Sequence, residues 1–157
     1  MQKKPQKIHE IQGLLRGEKD LVVPFIIEFS GFKYLCTQVL RLLPFKRLSL
    51  EANNANEHVV IKLFAKQLKG KRELEKEKKG HQLASLAGIS VPEILLTSEQ
   101  IDGCLAIVYK YIENTIHFSL GTEDIYLDRI THLYDFLAKT HAYGIYQDDS
   151  HLGNFLL

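Results

Sequence analysis

The sequence predicts an α+β fold: a five-stranded antiparallel sheet, one helix inserted after the third strand, then a second helix leading into a polar loop. Short apolar runs rich in β-branched residues, separated by turn residues, predict the strands. A charged segment rich in helix formers predicts the first of these helices, and apolar residues at helical spacing predict the second. The 157 residues are 45% hydrophobic, enough for one ordinary domain with a real core.

The first part of the chain contains a short helix and three strands. Residues 1–19 are polar and basic, with apolar residues at the spacing of a short amphipathic helix: Ile8, Ile11, Leu14 and Leu15. The runs "LVVPFIIEFS" and "KYLCTQVLRLL", joined by Ser30-Gly31, predict the first two strands. The Asn-rich "EANNANE" predicts a turn, and the β-branched residues after it predict the third strand, from about His58 to Phe64.

The second part of the chain begins with a highly charged segment that is rich in helix-forming residues. "KGKRELEKEKKGHQLASLAG" predicts a helix that ends at Gly88. "VPEILLTSEQIDGCLAIVYKYI" lacks helical periodicity and has turn residues at its centre, which predicts two more strands around Gln100–Gly103. From Asp124 to about Ala142 an apolar stripe predicts an amphipathic helix, closed by Gly144 and followed by the polar loop.

Charge, cysteine content and hydropathy narrow the functional classes. Twenty basic and 19 acidic residues leave a net charge of +1, which gives no general attraction to nucleic acid. Cys36 and Cys104 lie in apolar runs without metal-ligand spacing, which favours buried free thiols in a reducing compartment. The apolar runs are far shorter than the ~20 residues needed to span a bilayer, and the basic start lacks the apolar core of a signal peptide. We expect a soluble cytoplasmic protein that binds no nucleic acid.

A lysine in the third predicted strand is the first candidate for a functional residue. Lys62 alternates with Ile61 and Leu63, so it points to the opposite face of the strand. A cation beside a buried sheet must find an anion or reach water. The plain alternative is a solvent-facing lysine on an edge strand. The sharper interpretation is a phosphate-contacting lysine held by a glutamate of the following helix.

The charged helix offers three glutamates as that partner: Glu73, Glu75 and Glu77. Such a run is ordinarily a solvated face with pairs four residues apart. Helical spacing puts Glu77 on one face with Leu74, His81 and Ala84, bordering the side that should meet the sheet. We therefore expect Glu77 to be the partner of Lys62.

The polar loop at the end of the sequence combines Asp149 with Asn154, and His151 lies between them. Phosphoryl transfer needs a carboxylate that orients and deprotonates the attacking hydroxyl, and an amide oxygen beside it that holds magnesium. A turn in which both side chains cap backbone groups is the simpler explanation of this pair alone. The order of strand lysine, helix glutamate fifteen residues later and then this loop favours phosphoryl transfer.

These segments resemble a known family. "GIYQDDSHLGNFLL" is similar to the catalytic loop of the bacterial lipopolysaccharide core kinases (Kdo and heptose kinases), relatives of aminoglycoside phosphotransferases and eukaryotic-type protein kinases. "VLRLLPFKRL", "VVIKLF" and "KEKKGHQLASLAGISVP" resemble the family's first strands, lysine strand and helix C. The resemblance covers about residues 21–157. It implies a protein-kinase-like fold with an N-terminal amphipathic segment over 1–20, an N-lobe over 21–113, and the start of a helical C-lobe over 114–157.

The resemblance also implies roles. Lys62 orients the phosphates and pairs with Glu77, Asp149 is the catalytic base and Asn154 a magnesium ligand. An adenine ring would lie against the hinge, Tyr109–Glu113, with Tyr109 and Tyr111 as binding residues. ATP and Mg²⁺ are the implied cofactors. The implied acceptor is a sugar hydroxyl of the lipopolysaccharide core, at the inner face of the cytoplasmic membrane, where peripheral contact is expected.

The sequence departs from the family pattern in three places. No Gly-x-Gly-x-x-Gly lies between the first two strands, so the phosphate cover is expected from the Ser30-Gly31 turn or from "LPFKR", with Lys46 or Arg47 supplying charge. Gln147-Asp148 stands where many kinases have His-Arg. An Asp-Phe-Gly-like segment does not follow. We expect a truncated kinase that is a poor or inactive catalyst and self-associates through an exposed apolar surface.

The same residues are consistent with two other functions. One is a protein kinase or a small-molecule kinase of the aminoglycoside type. The other is a pseudokinase or binding module that uses the fold without turnover.

Overall fold

The computed structural model describes residues 5–8, 11–16, 21–66, 68–101, 104–114 and 123–146, and within them it confirms the mixed α+β class. The described part contains seven strands rather than the five that the sequence predicted. In chain order the elements are β1 (Gln6–Lys7), α1 (Ile11–Arg16), β2 (Phe25–Phe29), β3 (Phe32–Leu43), β4 (Arg47–Asn53), β5 (His58–Ala65), α2 (Leu68–Leu86), β6 (Ile94–Ile101), β7 (Cys104–Lys110) and α3 (Glu123–Ala142).

The strands form one sheet in the order β1-β2-β3-β4-β5-β7-β6. β1 pairs with β2 in parallel, and the other neighbouring pairs are antiparallel. Two strands were not predicted. The sequence predicts a polar turn over part of "RLSLEAN", where the structure has β4, and a helix over Gln6–Lys7, where it has β1. Inserting β4 places the lysine strand β5 in the interior of the sheet, between β4 and β7.

Contacts divide the described chain into two compact units. The first runs up to Glu77 and resumes over Pro92–Tyr111, so it contains the sheet, α1 and the first half of α2. The second comprises Lys78–Val91 and the chain from Ile112 onward. The candidate site described below lies entirely within the first unit.

Strand alternation gives the sheet two apolar faces. On one face α1 contacts β4 and β5, and the core cluster there includes its buried residues Ile11, Leu14 and Leu15. On the other face Leu74 of α2 joins a smaller cluster with Phe64, Leu105, Ile107 and Tyr109. Because successive residues of a strand point to opposite faces, Lys62 shares the α2 face with Phe64, whereas Ile61 and Leu63 face α1.

The sheet curls so that its two ends approach. The hydroxyl of Ser30, in the β2–β3 turn, donates a hydrogen bond to the hydroxyl of Ser98 on β6, with 3.1 Å between the oxygens. β2 lies next to one edge of the sheet and β6 forms the other edge. Both side chains belong to the first unit, and their hydrogen bond links the β2–β3 turn to the opposite edge of the same sheet.

Both long helices end where the sequence predicted. Gly88 (φ +64°) follows α2, and its N–H donates to the Ser85 carbonyl. Gly144 (φ +69°) follows α3, and its N–H donates to the His141 carbonyl. Glycine adopts positive φ without steric cost, which is why it terminates helices in this conformation. Within the second unit the ammonium of Lys139 donates to the carbonyl oxygen of Gly88 at 3.0 Å.

Both cysteines are buried and neither forms a disulfide bond, as predicted from their apolar surroundings. Burial raises the pKa of the Cys36 thiol to about 12, which makes this side chain a packing group rather than a nucleophile. None of the helices in the described ranges is long and apolar enough to cross a membrane.

Candidate functional site

Lys62 lies on an interior strand of the sheet. Its neighbours in register are Ser49 on β4 and Ile107 on β7, so the alternative of a lysine on an edge strand is wrong. The side chain is 26% exposed. A cation in this position is largely removed from water and needs a charged partner.

That partner is Glu77 of α2, the glutamate that helical spacing selected. The ammonium of Lys62 donates to Oε1 of Glu77, and the Tyr109 hydroxyl donates to the same oxygen at 3.0 Å. On the other carboxylate oxygen, Oε2, Nη1 of Arg47 lies 3.6 Å away. The Lys62 ammonium also lies 5.1 Å from the centre of the Tyr109 ring. Two hydrogen-bond donors and a second cation, from three different strands, thus surround one carboxylate.

The electrostatics of the site follow from this convergence. Burial alone would raise the pKa of Glu77, but the charge of Lys62, hydrogen bonds from Lys62 and Tyr109, and the charge of Arg47 outweigh it and lower the pKa below its ordinary value of 4.5. Burial, followed by the charge of Glu77 and the hydrogen bond to it, raises the pKa of Tyr109, and Arg47 opposes this. Glu77 is therefore ionised and Tyr109 is a neutral donor at physiological pH.

A close approach at the start of α2 brings the helix onto the sheet. Gly70 is buried in the first turn of α2, and a Cβ added there would overlap the carbonyl oxygen of Ala65, the last residue of β5. The absence of a side chain lets the helix start next to the end of the lysine strand. Leu74, 1% exposed, then anchors the helix one turn before Glu77.

The two residues predicted to bind adenine take different positions. Tyr109 is 6% exposed on β7 and bonds Glu77. Tyr111 follows the end of β7, and its ring stacks on the imidazole of His58, with centroids 3.8 Å apart. The N–H of Tyr111 donates to the His58 carbonyl, and the His58 ring in turn lies 3.1 Å from Oε1 of Glu51. Tyr111 is thus positioned by the first residue of β5.

The residues predicted for the catalytic loop, Asp149, His151 and Asn154, lie outside the described residues. Within the described ranges, His, Cys, Asp and Glu side chains do not gather in groups of three or more that could hold a metal ion. The structure therefore brings together Lys62, Glu77 and Tyr109 and leaves the roles of Asp149 and Asn154 as predictions.

The sequence named Arg47 as one of two possible sources of charge and did not predict its contact with Glu77. The signal was present in the alternation of "RLSLEA", where Arg47, Ser49 and Glu51 alternate with apolar residues. Such alternation predicts a strand with one polar face. Since Ser49 is in register with Lys62, that face is the one that carries the lysine.

Comparisons with known proteins find similarity among solved structures, and it is distant. No protein-family model matches the sequence, and no curated protein matches it. Among solved structures, a match is found with vaccinia related kinase 3, at a TM-score of 0.44 and 16% identity, covering 84% of this chain. The match spans 45% of that kinase chain. At this similarity it carries no weight for function, and the resemblance to the lipopolysaccharide core kinases gains no support from it.

Proposed function

We propose that this chain is a kinase-like domain that binds ATP through Lys62 and belongs to the phosphotransferases. The observation that carries the proposal is the half-buried pair of Lys62 and Glu77, which connects an interior strand to the adjacent helix. An ammonium has three N–H donors, and Glu77 takes one of them. The others would contact an anionic ligand held in a fixed position.

The arrangement suits phosphate better than a purely structural role. Phosphoryl transfer depends on positioning and on electrostatic stabilisation of the phosphates. Lys62 and Arg47 supply two positive charges and Glu77 one negative charge, which leaves the cluster with a surplus of one positive charge. An ion pair that served only to join the helix to the sheet would be neutral, and it would need no second cation.

The first prediction concerns binding of ATP by the intact chain, measured by titration calorimetry. We expect Lys62→Met to weaken ATP binding by about tenfold or more, since it removes a charge-assisted contact. Lys33→Met is the matched control, because Lys33 is exposed at the far end of β3 and should leave affinity unchanged. Equal affinity of wild type and Lys62→Met, or no affinity in the wild type, contradicts the proposal.

The acceptor and the chemistry are a finer proposal, supported by the similarity of "QDDSHLGNFLL" to the lipopolysaccharide core kinases. Asp149 would accept the proton of a sugar hydroxyl, and Asn154 would hold Mg²⁺, which when bound neutralises charge on the phosphates. The division into an N-lobe over 21–113 and the start of a C-lobe over 114–157 belongs to the same proposal.

The second prediction tests that acceptor with radiolabelled ATP and core oligosaccharide. Transfer is expected to be lost in Asp149→Ala and retained in Asp148→Ala, because the family pattern makes Asp149 the base. The reverse pattern exchanges the two roles. Transfer to an aminoglycoside or a protein instead of the oligosaccharide would assign a different acceptor class.

A binding module without turnover is the second candidate, and the turn between β3 and β4 favours it. This turn, Pro44–Lys46, contains no glycine, whereas kinases cover the phosphates with a glycine-rich turn. Binding of ATP to the wild type without transfer to any acceptor, and with a thermal shift that is the same with and without magnesium, would support this candidate.

A further inference from the structure

The turn between β3 and β4 has its backbone donors already engaged. The N–H of Phe45 donates to the carbonyl of Leu15 in α1 at 2.7 Å, and the N–H of Lys46 donates to the carbonyl of Leu43 at 3.0 Å. Pro44 has no N–H. Glycine-rich turns hold phosphates with free backbone N–H groups. The three residues of this turn have none to offer.

The same turn is held on two sides. Beyond the bond to Leu15, the carbonyl of Lys46 accepts a hydrogen bond from the N–H of Ala65 at the end of β5, at 3.0 Å. Phe45 adopts φ +61°, a left-handed conformation that a bulky residue rarely takes. These contacts hold the turn in one conformation, whereas the phosphate-covering turn of a kinase is flexible.

Arg47 is the first residue after the turn and lies on the face of Lys62. Arg47 pairs in register with Phe64, and Ser49 with Lys62, so alternation puts the arginine and the lysine on one face. Nη1 of Arg47 lies 3.6 Å from Glu77, which is beyond a normal hydrogen bond. Nε of Arg47 is buried and has no hydrogen-bond partner within the described part of the chain.

An arginine in this state is prepared to bind an anion. A buried donor without a partner costs free energy, and a ligand that accepts its hydrogen bond recovers that cost. The planar guanidinium presents paired N–H groups that match two oxygens of a phosphate. Glu77 already neutralises one of the two cations around it, so the second charge is available to a ligand.

We propose that Arg47 binds a phosphate group of the nucleotide and supplies the contact that backbone N–H groups of a glycine-rich turn make elsewhere. This inference rests on the proposed ATP binding at Lys62 and adds the residue that replaces the missing turn. The ligand class is a nucleoside di- or triphosphate, recognised through its phosphates. Recognition of the phosphates thus depends on a side chain of β4.

The test compares adenosine, AMP, ADP and ATP as ligands of the intact chain in titration calorimetry. In the wild type, affinity should rise with each added phosphate. Arg47→Gln should bind ATP about tenfold more weakly than the wild type does, because the lost contact is made to phosphate. Its affinity for adenosine should be unchanged. Arg47→Lys should recover part of the ATP affinity, since the charge is kept and the paired geometry is lost.

Arg72→Gln is the matched control, because Arg72 is exposed on α2 and its loss should leave every affinity unchanged. Melting curves without ligand establish that each variant is folded. If Arg47→Gln does not fold, the comparison is made with Arg47→Lys. Loss of adenosine and ATP affinity to the same extent in Arg47→Gln would overturn the inference by assigning Arg47 a structural role. A loss in Lys46→Gln instead would also overturn it.

The outcomes separate this inference from the proposed function. If Lys62→Met weakens ATP binding and Arg47→Gln matches the wild type, the inference fails and the proposed function stands. If the wild type binds none of the four ligands, both are overturned.

Discussion

At the scale of single residues, Glu77 is the centre of the candidate site. Its carboxylate accepts hydrogen bonds from Lys62 and Tyr109 and faces Arg47, so its charge stabilises the contact between α2 and the sheet. A partly buried carboxylate in this position links stability to pH, because its pKa differs between the folded and unfolded chain.

The third prediction follows from the direction of that difference. The pKa of Glu77 in the folded chain lies below its ordinary value of 4.5, so the unfolded chain takes up the proton first as pH falls. The contribution of Glu77 is therefore complete above about pH 5 and is lost as pH falls through the folded pKa. Glu77→Gln should lower the melting temperature at neutral pH and flatten its decrease below about pH 5.

Melting temperatures measured across this range check the third prediction, with Glu75→Gln as the control from the exposed side of the same helix. The control should leave the profile close to that of the wild type. An unchanged acid slope in Glu77→Gln would mean that the carboxylate does not stabilise the fold.

At the scale of elements, α2 contains two glycines in opposite situations. Gly70 is buried, and a Cβ there would overlap the backbone of Ala65, whereas a Cβ at the exposed Gly80 meets nothing within 4 Å. The same substitution at these two positions therefore separates close packing from helix propensity.

The fourth prediction is that Gly70→Ala destabilises the chain and Gly80→Ala stabilises it. At Gly70 the helix must move away from β5, which costs at least the ~1–3 kcal/mol of an overpacked site. At Gly80, alanine should add up to ~1 kcal/mol, because glycine is the poorer helix former. Denaturant unfolding measures both, and an equal gain at the two positions would show that α2 starts farther from the sheet.

The strands and helices differ in how far the sequence could predict them. α3 and the ends at Gly88 and Gly144 were predictable because a helical stripe followed by glycine is a local pattern. β4 was missed because its last three residues, Glu51–Asn53, begin the Asn-rich run that predicted a turn. β1 was missed because two residues carry no periodicity.

The candidate site was predictable in part for a similar reason. The choice of Glu77 needed only helical spacing from Leu74, a local property. The contacts of Tyr109 and Arg47 with the same carboxylate depend on which strands are neighbours in the sheet. The pairing of two distant segments cannot be predicted from the sequence of either segment alone.

At the scale of the whole molecule, the N-terminal helix is part of the core of the first unit. Ile11, Leu14 and Leu15 are between 2% and 6% exposed and share a cluster with residues of β4, β5 and β7. A six-residue helix is unstable by itself, so its structure depends on this packing. The sheet likewise depends on the helix to cover one of its faces.

The fifth prediction is that Leu15→Ala lowers the free energy of unfolding by about 2–5 kcal/mol, the usual cost of a buried leucine replaced by alanine. Gln12→Ala, an exposed position of the same helix, should change it by less than about 0.5 kcal/mol. Urea unfolding monitored by circular dichroism measures both. A loss at Leu15 no larger than that at Gln12 would show that the helix is not part of the core.

The hydrogen bond from Phe45 to Leu15 gives the N-terminal helix a second effect. Kinase-type phosphate loops open and close over their nucleotide by their own backbone freedom. Here the turn between β3 and β4 is hydrogen-bonded to α1, thirty residues earlier in the chain. Under the proposed ATP binding, access of the nucleotide to Arg47 would therefore depend on how often the hydrogen bond between Phe45 and α1 opens.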